Sequence, residues 1–370
     1  MVLIYIILFL LGIFIFIIPF DFSREWVKLK SFNHSPLDIK TFDGKDSPYH
    51  PSVIYFDVPY NGFKFWMVET PFYLGGKPYV DRWECPSIHV SNDGIHWSDI
   101  ENCHNPIDNL TDKEIDNLDY FSDPHLVING NYLECWYRLT KRRGVVTNVD
   151  DVFLLRKITC DGINWSEKQT IADLKNNSSE KGLGKMVVSP SLIYYDNKYY
   201  MYYVDSQTEN REVVFSSSDD AIIWSDKCKC NLLGHSINPW HIDVSKINSI
   251  YWMIIYDYDS LSLWKSENGI DFYFIKILLT PSNTIGSFYK RGLYRACLVK
   301  ANDVFRLYFS ADDGYKTYIG LMEGKSPEHL KIVSPDNKKF SSFSIFIYKY
   351  FKYRLRALLF IINHSKICHY

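Results

Sequence analysis

Between residues 50 and 325 the chain alternates apolar and polar side chains with a period of two, in short runs separated by turn residues. The runs are rich in aromatics: Phe63-Lys-Phe-Trp-Met-Val68, Tyr132-Leu-Glu-Cys-Trp-Tyr137, Tyr199-Tyr-Met-Tyr-Tyr203, Ile250-Tyr-Trp-Met-Ile-Ile255 and Val304-Phe-Arg-Leu-Tyr-Phe309. Successive side chains of a strand point to opposite faces, so this period predicts strands, and no long helical period competes with it. Each run follows a shorter apolar strand, such as Ser52-Val-Ile-Tyr-Phe56 or Ser191-Leu-Ile-Tyr-Tyr195, across a turn such as Asn61-Gly62, Asn129-Gly130 or Asp196-Asn197.

The pattern repeats. Four segments share the form S/T-x-D/N-G-I-x-aromatic: Ser91-Asn-Asp-Gly-Ile-His-Trp97, Thr159-Cys-Asp-Gly-Ile-Asn-Trp165, Ser218-Asp-Asp-Ala-Ile-Ile-Trp224 and Ser266-Glu-Asn-Gly-Ile-Asp-Phe272. A strand ends, the Asp-Gly or Asn-Gly pair reverses the chain at positive φ, and the aromatic pins the returning strand. Their spacing of 48 to 68 residues marks one structural unit each. A fifth unit, residues 294–321, lacks this ending. Five units of three to four strands predict an all-β, five-bladed β-propeller over residues 22–336. The fifth unit is expected to lack its outer strand, with residues 24–31 supplying it and closing the ring. Residues 101–121 and 173–187 read as insertions between blades.

The two ends of the chain follow other rules. Residues 1–20 carry no charge and are nearly all Ile, Leu, Phe and Val, long enough as a helix to span a bilayer core. They predict a single transmembrane anchor that is not cleaved, with the side of the membrane left open. Residues 337–370 hold seven Lys/Arg and no acid, out of 41 basic and 43 acidic groups in the chain. The rest therefore has 34 basic against 43 acidic, a net of −9. Tyr348, Phe351, Leu355 and Leu358/Leu359 recur at helical spacing among these cations, which predicts a basic amphipathic helix on an anionic membrane.

Aromatics make up 17% of the chain and charged residues only 23%, a composition that excludes a disordered protein. A pI near 6.6 excludes a basic nucleic-acid binder. Eight cysteines without a CxxC…CxxC pattern exclude a structural zinc site and read as buried thiols.

In a propeller the inner strands all start at one end of the central channel. The residues at those starts are His50-Pro51, Asp123-Pro124-His125, Ser189-Pro190, Trp240-His241-Ile-Asp243 and Tyr294-Arg295. The loop before the third strand of blade one opens on the same face and holds Glu84-Cys85-Pro86. Ionisable groups gathered in one funnel perturb one another and mark a candidate site. A metal held by Asp123, His241 and Asp243 has no spacing rule behind it, so neither a metal nor another cofactor is expected.

The five-blade repeat with its His-Pro-Ser, Asp-Pro-His and Glu-Cys-Pro elements resembles the five-bladed propeller glycosidases of the arabinanase, xylosidase and invertase type, over roughly residues 45–325. The resemblance implies a glycoside hydrolase with Glu84 as acid and Asp123 as base or orienting group, Asp243 standing in for either. His50, His125, Trp240, His241, Tyr294 and Arg295 then bind the sugar. The sequence departs from that pattern at the start of blade one, where His50 stands for an Asp, and in blade three, which starts without an acid. The rival expectation is a non-catalytic glycan-binding or polysaccharide-assembly propeller, and the third is a protein-interaction propeller. The expected partners are a carbohydrate, surface or capsule-type in the leading reading, and a membrane, with no nucleic acid, for a monomeric chain.

Overall fold

The computed structural model describes residues 34–74, 84–142, 151–174, 183, 187–206, 210–282 and 287–335. Ser35–Pro335 form one compact unit. The anchor over 1–20, the strand proposed at 24–31 and the basic helix after 337 lie outside the described residues. Among the described residues no helix is long and apolar enough to cross a membrane.

Five antiparallel sheets form the five blades. Blade one contains β1 (Pro48–Tyr60), β2 (Phe63–Pro71) and β3 (Ser87–Ser91); blade two β4 (Tyr120–Asn129), β5 (Tyr132–Lys141), β6 (Asp151–Thr159) and β7 (Gln169–Asp173). Blade three contains β8 (Val187–Tyr195), β9 (Lys198–Asp205), β10 (Glu212–Ser218) and β11 (Cys228–Lys229). Blade four is built from β13 (His241–Ile247), β14 (Ile250–Tyr256), β15 (Leu261–Ser266) and β16 (Asp271–Leu279), with β12 (Asn231–Leu233) running parallel along its outer edge. Blade five contains β17 (Gly292–Ala301), β18 (Val304–Asp312), β19 (Thr317–Gly324) and β20 (Lys331–Val333). The inner strands β1, β4, β8, β13 and β17 touch in cyclic order and close the ring.

One expectation is corrected. Blade five carries its own outer strand, β20, paired with β19 through Leu321–Val333 and Met322–Ile332. Blade one is the short blade, its third strand meeting only an isolated bridge between Val90 and Ser98. With three residues, β20 is too short to show a period.

The four shared turns have one chemistry. In the first, Gly94 N–H donates to Ser91 Oγ at 2.8 Å, and the N–H groups of Ile95 and His96 donate to Asp93 Oδ1 at 2.8 Å. Thr159/Asp161 and Ser266/Asn268 repeat the whole arrangement, and Asp220 repeats its carboxylate half. The turning residue has a left-handed backbone in all four, Gly94, Gly162, Ala221 and Gly269. Each turn seats on the second strand of the preceding blade. Gly162 lies so close to Trp66 that a Cβ would stand 2.0 Å from the indole, and Tyr308 and Tyr202 donate to the carbonyls of Gly94 (2.9 Å) and Gly269 (3.1 Å). Glycine is needed here both for its backbone and for its missing side chain. Trp66, Trp136 and Tyr308 are completely buried at these seats.

Inner strands of different blades have no ladder between them, so side chains stitch them to each other's backbone. Leu126 N–H donates to Ser52 Oγ (3.0 Å), and Val244 N–H to Ser191 Oγ (2.8 Å). His125 Nε2 donates to the Leu192 carbonyl (3.0 Å). Leu298 N–H donates to Asp243 Oδ2 (3.0 Å), and His50 N–H to Ser310 Oγ on the second strand β18 (2.9 Å). Among the described residues no cysteine is in a disulfide; Cys85, Cys135, Cys230 and Cys297 are buried, whereas Cys160 and Cys228 are exposed.

Candidate active site

The X-Pro pairs shape the channel mouth. Proline offers no N–H to the ladder, and pairing slips at Tyr49/Ser52, Ser122/His125 and Val188/Ser191, around Pro51, Pro124 and Pro190. The residue before each proline takes a left-handed backbone: His50 at φ 51°, Asp123 at 53° and Ser189 at 52°. Glu84, at 41°, shares it. For a side chain other than glycine this conformation costs about 1–2 kcal/mol, so the bulges hold these residues against a local preference.

Four ionisable side chains converge there. His50 Nδ1 stands 3.1 Å from Glu84 Oε2 and 3.0 Å from Thr70 Oγ1. Asp123 Oδ2 accepts from Arg138 Nη1 at 2.7 Å and from Ser189 N–H at 3.2 Å. Its other oxygen lies 3.5 Å from His241 Nδ1. The His50 and His241 rings are 6.0 Å apart, and all four side chains are buried. His50 Nε2 and both ring nitrogens of His241 have no hydrogen-bond partner.

Burial opposes the charge on Asp123, but its basic surroundings, in which Arg138 and Arg295 are permanently charged, outweigh it and hold the carboxyl well below its ordinary range. Burial pushes His241 well below its ordinary value, with the Asp123 carboxylate opposing, so the imidazole is neutral near pH 7. The result is an ionised carboxylate behind a neutral imidazole.

The aromatic wall comes from the same strand starts. Tyr294 lies 4.0 Å from the His241 ring and 5.2 Å from that of His50, covering both, and stacks on Tyr49 at 5.1 Å. Trp240 Nε1 donates to Tyr294 Oη at 3.0 Å.

Three of the expected residues sit deeper. Arg295 crosses the channel from blade five, donating to the carbonyls of Pro124 (2.9 Å) and Pro190 (2.8 Å) and contacting His125 Nδ1 at 3.3 Å. Its guanidinium is thus committed to the scaffold. His125 donates through Nε2, leaving Nδ1 to accept from Arg295, and burial together with Arg295 lowers its pKa to about 3. Burial raises Asp243 to about 6, despite its bond from Leu298 N–H. His125 and Asp243 line a cavity of about 470 Å³ with Ser52 and Cys297. It follows the inner strands to Asn248 and Lys300, toward the end of the channel opposite His50 and Asp123.

Thr70 and Arg138 belong to the mouth but were not singled out in the sequence. Both end second strands, pairing with Tyr49 and Ser122. A cation in the aromatic strand Trp136-Tyr137-Arg138 was the available signal. Among the described residues no three His, Cys, Asp or Glu side chains are grouped to hold a metal ion.

No protein-family model matches the chain. A curated relative is the A type blood N-acetyl-α-D-galactosamine deacetylase of Flavonifractor plautii, 23% identical over 302 residues. The match covers 68% of this chain and 37% of that protein, so the chain spans little more than a third of its relative. The crystal structure of an N-acetylgalactosamine deacetylase from F. plautii with blood group B trisaccharide is similar at TM-score 0.65 and 20% identity, over 79% of this chain and 95% of that one. The structure of RS223-β-xylosidase matches at 0.54 and 11%, over 78% and 96%. A family 117 glycoside hydrolase from Zobellia galactanivorans matches at 0.51 and 13%, over 80% and 91%. At such identities the likeness is one of fold, the five-bladed propeller described above.

Proposed function

We propose that this chain is a glycan-acting hydrolase working at the His50–Asp123 end of its channel, and that its reaction is removal of an N-acyl group from an amino sugar. One observation carries the reading: His241 is neutral and buried, its Nδ1 lies 3.5 Å from the ionised Asp123, and neither of its ring nitrogens has a hydrogen-bond partner. Once Nδ1–H donates to that carboxylate, the tautomer is fixed and Nε2 is left to take a proton. Water adds to the acyl carbon while Nε2 takes its proton. The C–N bond then breaks, and the amine leaves with that proton, giving the free amino sugar and acetate. His50 is the neighbouring group placed to stabilise the oxyanion, with Glu84 behind it. The deacetylase named above for F. plautii supports the same chemistry.

Glycoside hydrolysis needs two carboxyls, one of them protonated. Arg138 and Ser189 N–H hold Asp123 ionised, which leaves Glu84 as the acid. A second reading, a glycan-binding propeller without turnover, draws on Tyr294, which covers both imidazoles and which a substrate must displace.

The test uses the full chain in detergent with N-acetylhexosamine oligosaccharides and aryl glycosides. Acetate release that disappears in His241→Gln supports deacetylation. New reducing ends that disappear in Glu84→Gln indicate a glycosidase, and saturable binding without either product leaves the binding protein. We also propose that residues 1–20 anchor the chain in a membrane; release of the chain from membranes by alkaline carbonate would refute it.

A further inference from the structure

Beside the mouth, a flat group of side chains takes no part in the chemistry above. The loop after β14 turns on Asp257, whose Oδ1 accepts from the N–H groups of Asp259 (3.2 Å) and Ser260 (2.9 Å). Between them Tyr258 is held at φ 76°, a left-handed backbone that a tyrosine rarely adopts. Its ring is half exposed (49%) and lies nearly parallel to Trp240, 5.6 Å between centroids at 25°. The Arg211 guanidinium sits over both rings, 4.3 Å from Trp240 and 5.3 Å from Tyr258. Among the described residues no carboxylate is within ion-pairing distance of Arg211.

This shelf is continuous with the site. β9 and β14 both end at the mouth, because Asp205 pairs with Val187 and Tyr256 with His241. Trp240 is bonded to Tyr294, which lies on His241. Burial would explain stacked aromatics in a core. It does not explain a half-exposed tyrosine held in a strained backbone beside a cation that pairs with no carboxylate among the described residues.

We propose that Trp240, Tyr258 and Arg211 form a second sugar subsite that takes a carboxylate-bearing sugar next to the residue processed at His241. The rings offer an apolar face to the C–H face of a pyranose, and Arg211 pairs with its carboxylate. Arg295, expected to bind the sugar, is bound to the Pro124 and Pro190 carbonyls, so Arg211 is the cation that pairs with the carboxylate. The subsite deepens the reading of a glycan-acting site, but its test is independent of turnover.

The probes are two tetrasaccharides, one alternating N-acetylhexosamine with uronic acid and one of N-acetylhexosamine alone. Binding is read on the full chain by tryptophan fluorescence at low ionic strength. The acidic probe binds about tenfold tighter, a difference of about 1.4 kcal/mol. Arg211→Gln abolishes that preference. Tyr258→Gly weakens both probes several-fold without lowering Tm, because glycine relieves the left-handed backbone. Equal affinity of wild type for the two probes, no binding of either, or an unchanged preference in Arg211→Gln overturns the proposal. A Tm lowered by Tyr258→Gly with affinity unchanged also overturns it, since the ring is then structural. Preserved acidic binding without acetate release would refute deacetylation and leave the subsite standing.

Discussion

The rim turns and the channel mouth are both built by repetition, but repetition fixes different things in them. At the rim, backbone and side chains repeat together. Ser or Thr opens the turn, Asp or Asn accepts its N–H groups, and a buried aromatic of the preceding blade receives it. At the mouth only the backbone repeats. Three X-Pro bulges place left-handed residues at matching positions, but these are His50, Asp123 and Ser189. The backbone N–H groups of the rim turns find acceptors within the turn, whereas both mouth imidazoles keep an unpartnered nitrogen. Stability and chemistry are thus separated by radius in one repeat.

The sharpest way to break this comparison is at His241. His241→Gln keeps much of the volume and removes the proton acceptor, so acetate release falls by about 10²–10⁴-fold, while Tm moves little. A large fall in Tm would make the imidazole a packing element instead. Asp123→Asn behaves differently. It leaves the buried Arg138 guanidinium without its carboxylate, and the fold loses about 3–5 kcal/mol by denaturant titration. Parallel losses of activity and stability in both variants would erase the distinction between positioned and working groups.

At the rim, Gly162→Ala drives a methyl into Trp66 at a left-handed position, costing about 2–4 kcal/mol. Activity per folded molecule stays unchanged. The smallest effect is expected from Asp243. Its folded pKa of about 6 lies above the unfolded value, so the folded state holds the proton more tightly. That stabilisation is complete at acidic pH and fades as pH rises from the unfolded value through 6. Asp243→Asn, which cannot ionise, therefore matches wild type near pH 4 and gains about 1–3 kcal/mol on it by pH 8. A gain independent of pH would locate the burial cost elsewhere.

The rim was legible because its chemistry is local. Ser-x-Asp-Gly-x-x-Trp writes donor, acceptor, left-handed residue and anchor within seven positions. The strand starts were legible too, since Asp-Pro and His-Pro break a strand pattern visibly. Arg138 and Thr70 were not, because they reach the mouth only when second strands return to it. Nor does sequence separate Arg295, held by the carbonyls of two other blades, from Arg211, which has no carboxylate partner among the described residues. Asp243 and His125 read as site residues because they stand beside Asp123 and His241; the structure turns them into stitches between strands.

Arg295 has one more consequence. A ring of five blades looks like a pipe, yet this side chain lies across its bore like a bolt, fastened to the far wall at Pro124 and Pro190. Within the propeller the bore is therefore closed partway along its length. A sugar chain cannot thread it, and whatever enters above the bolt leaves by the door it came through. On the proposed reading, such a protein meets its glycan at a tip or a side branch, and lets go of it by backing away.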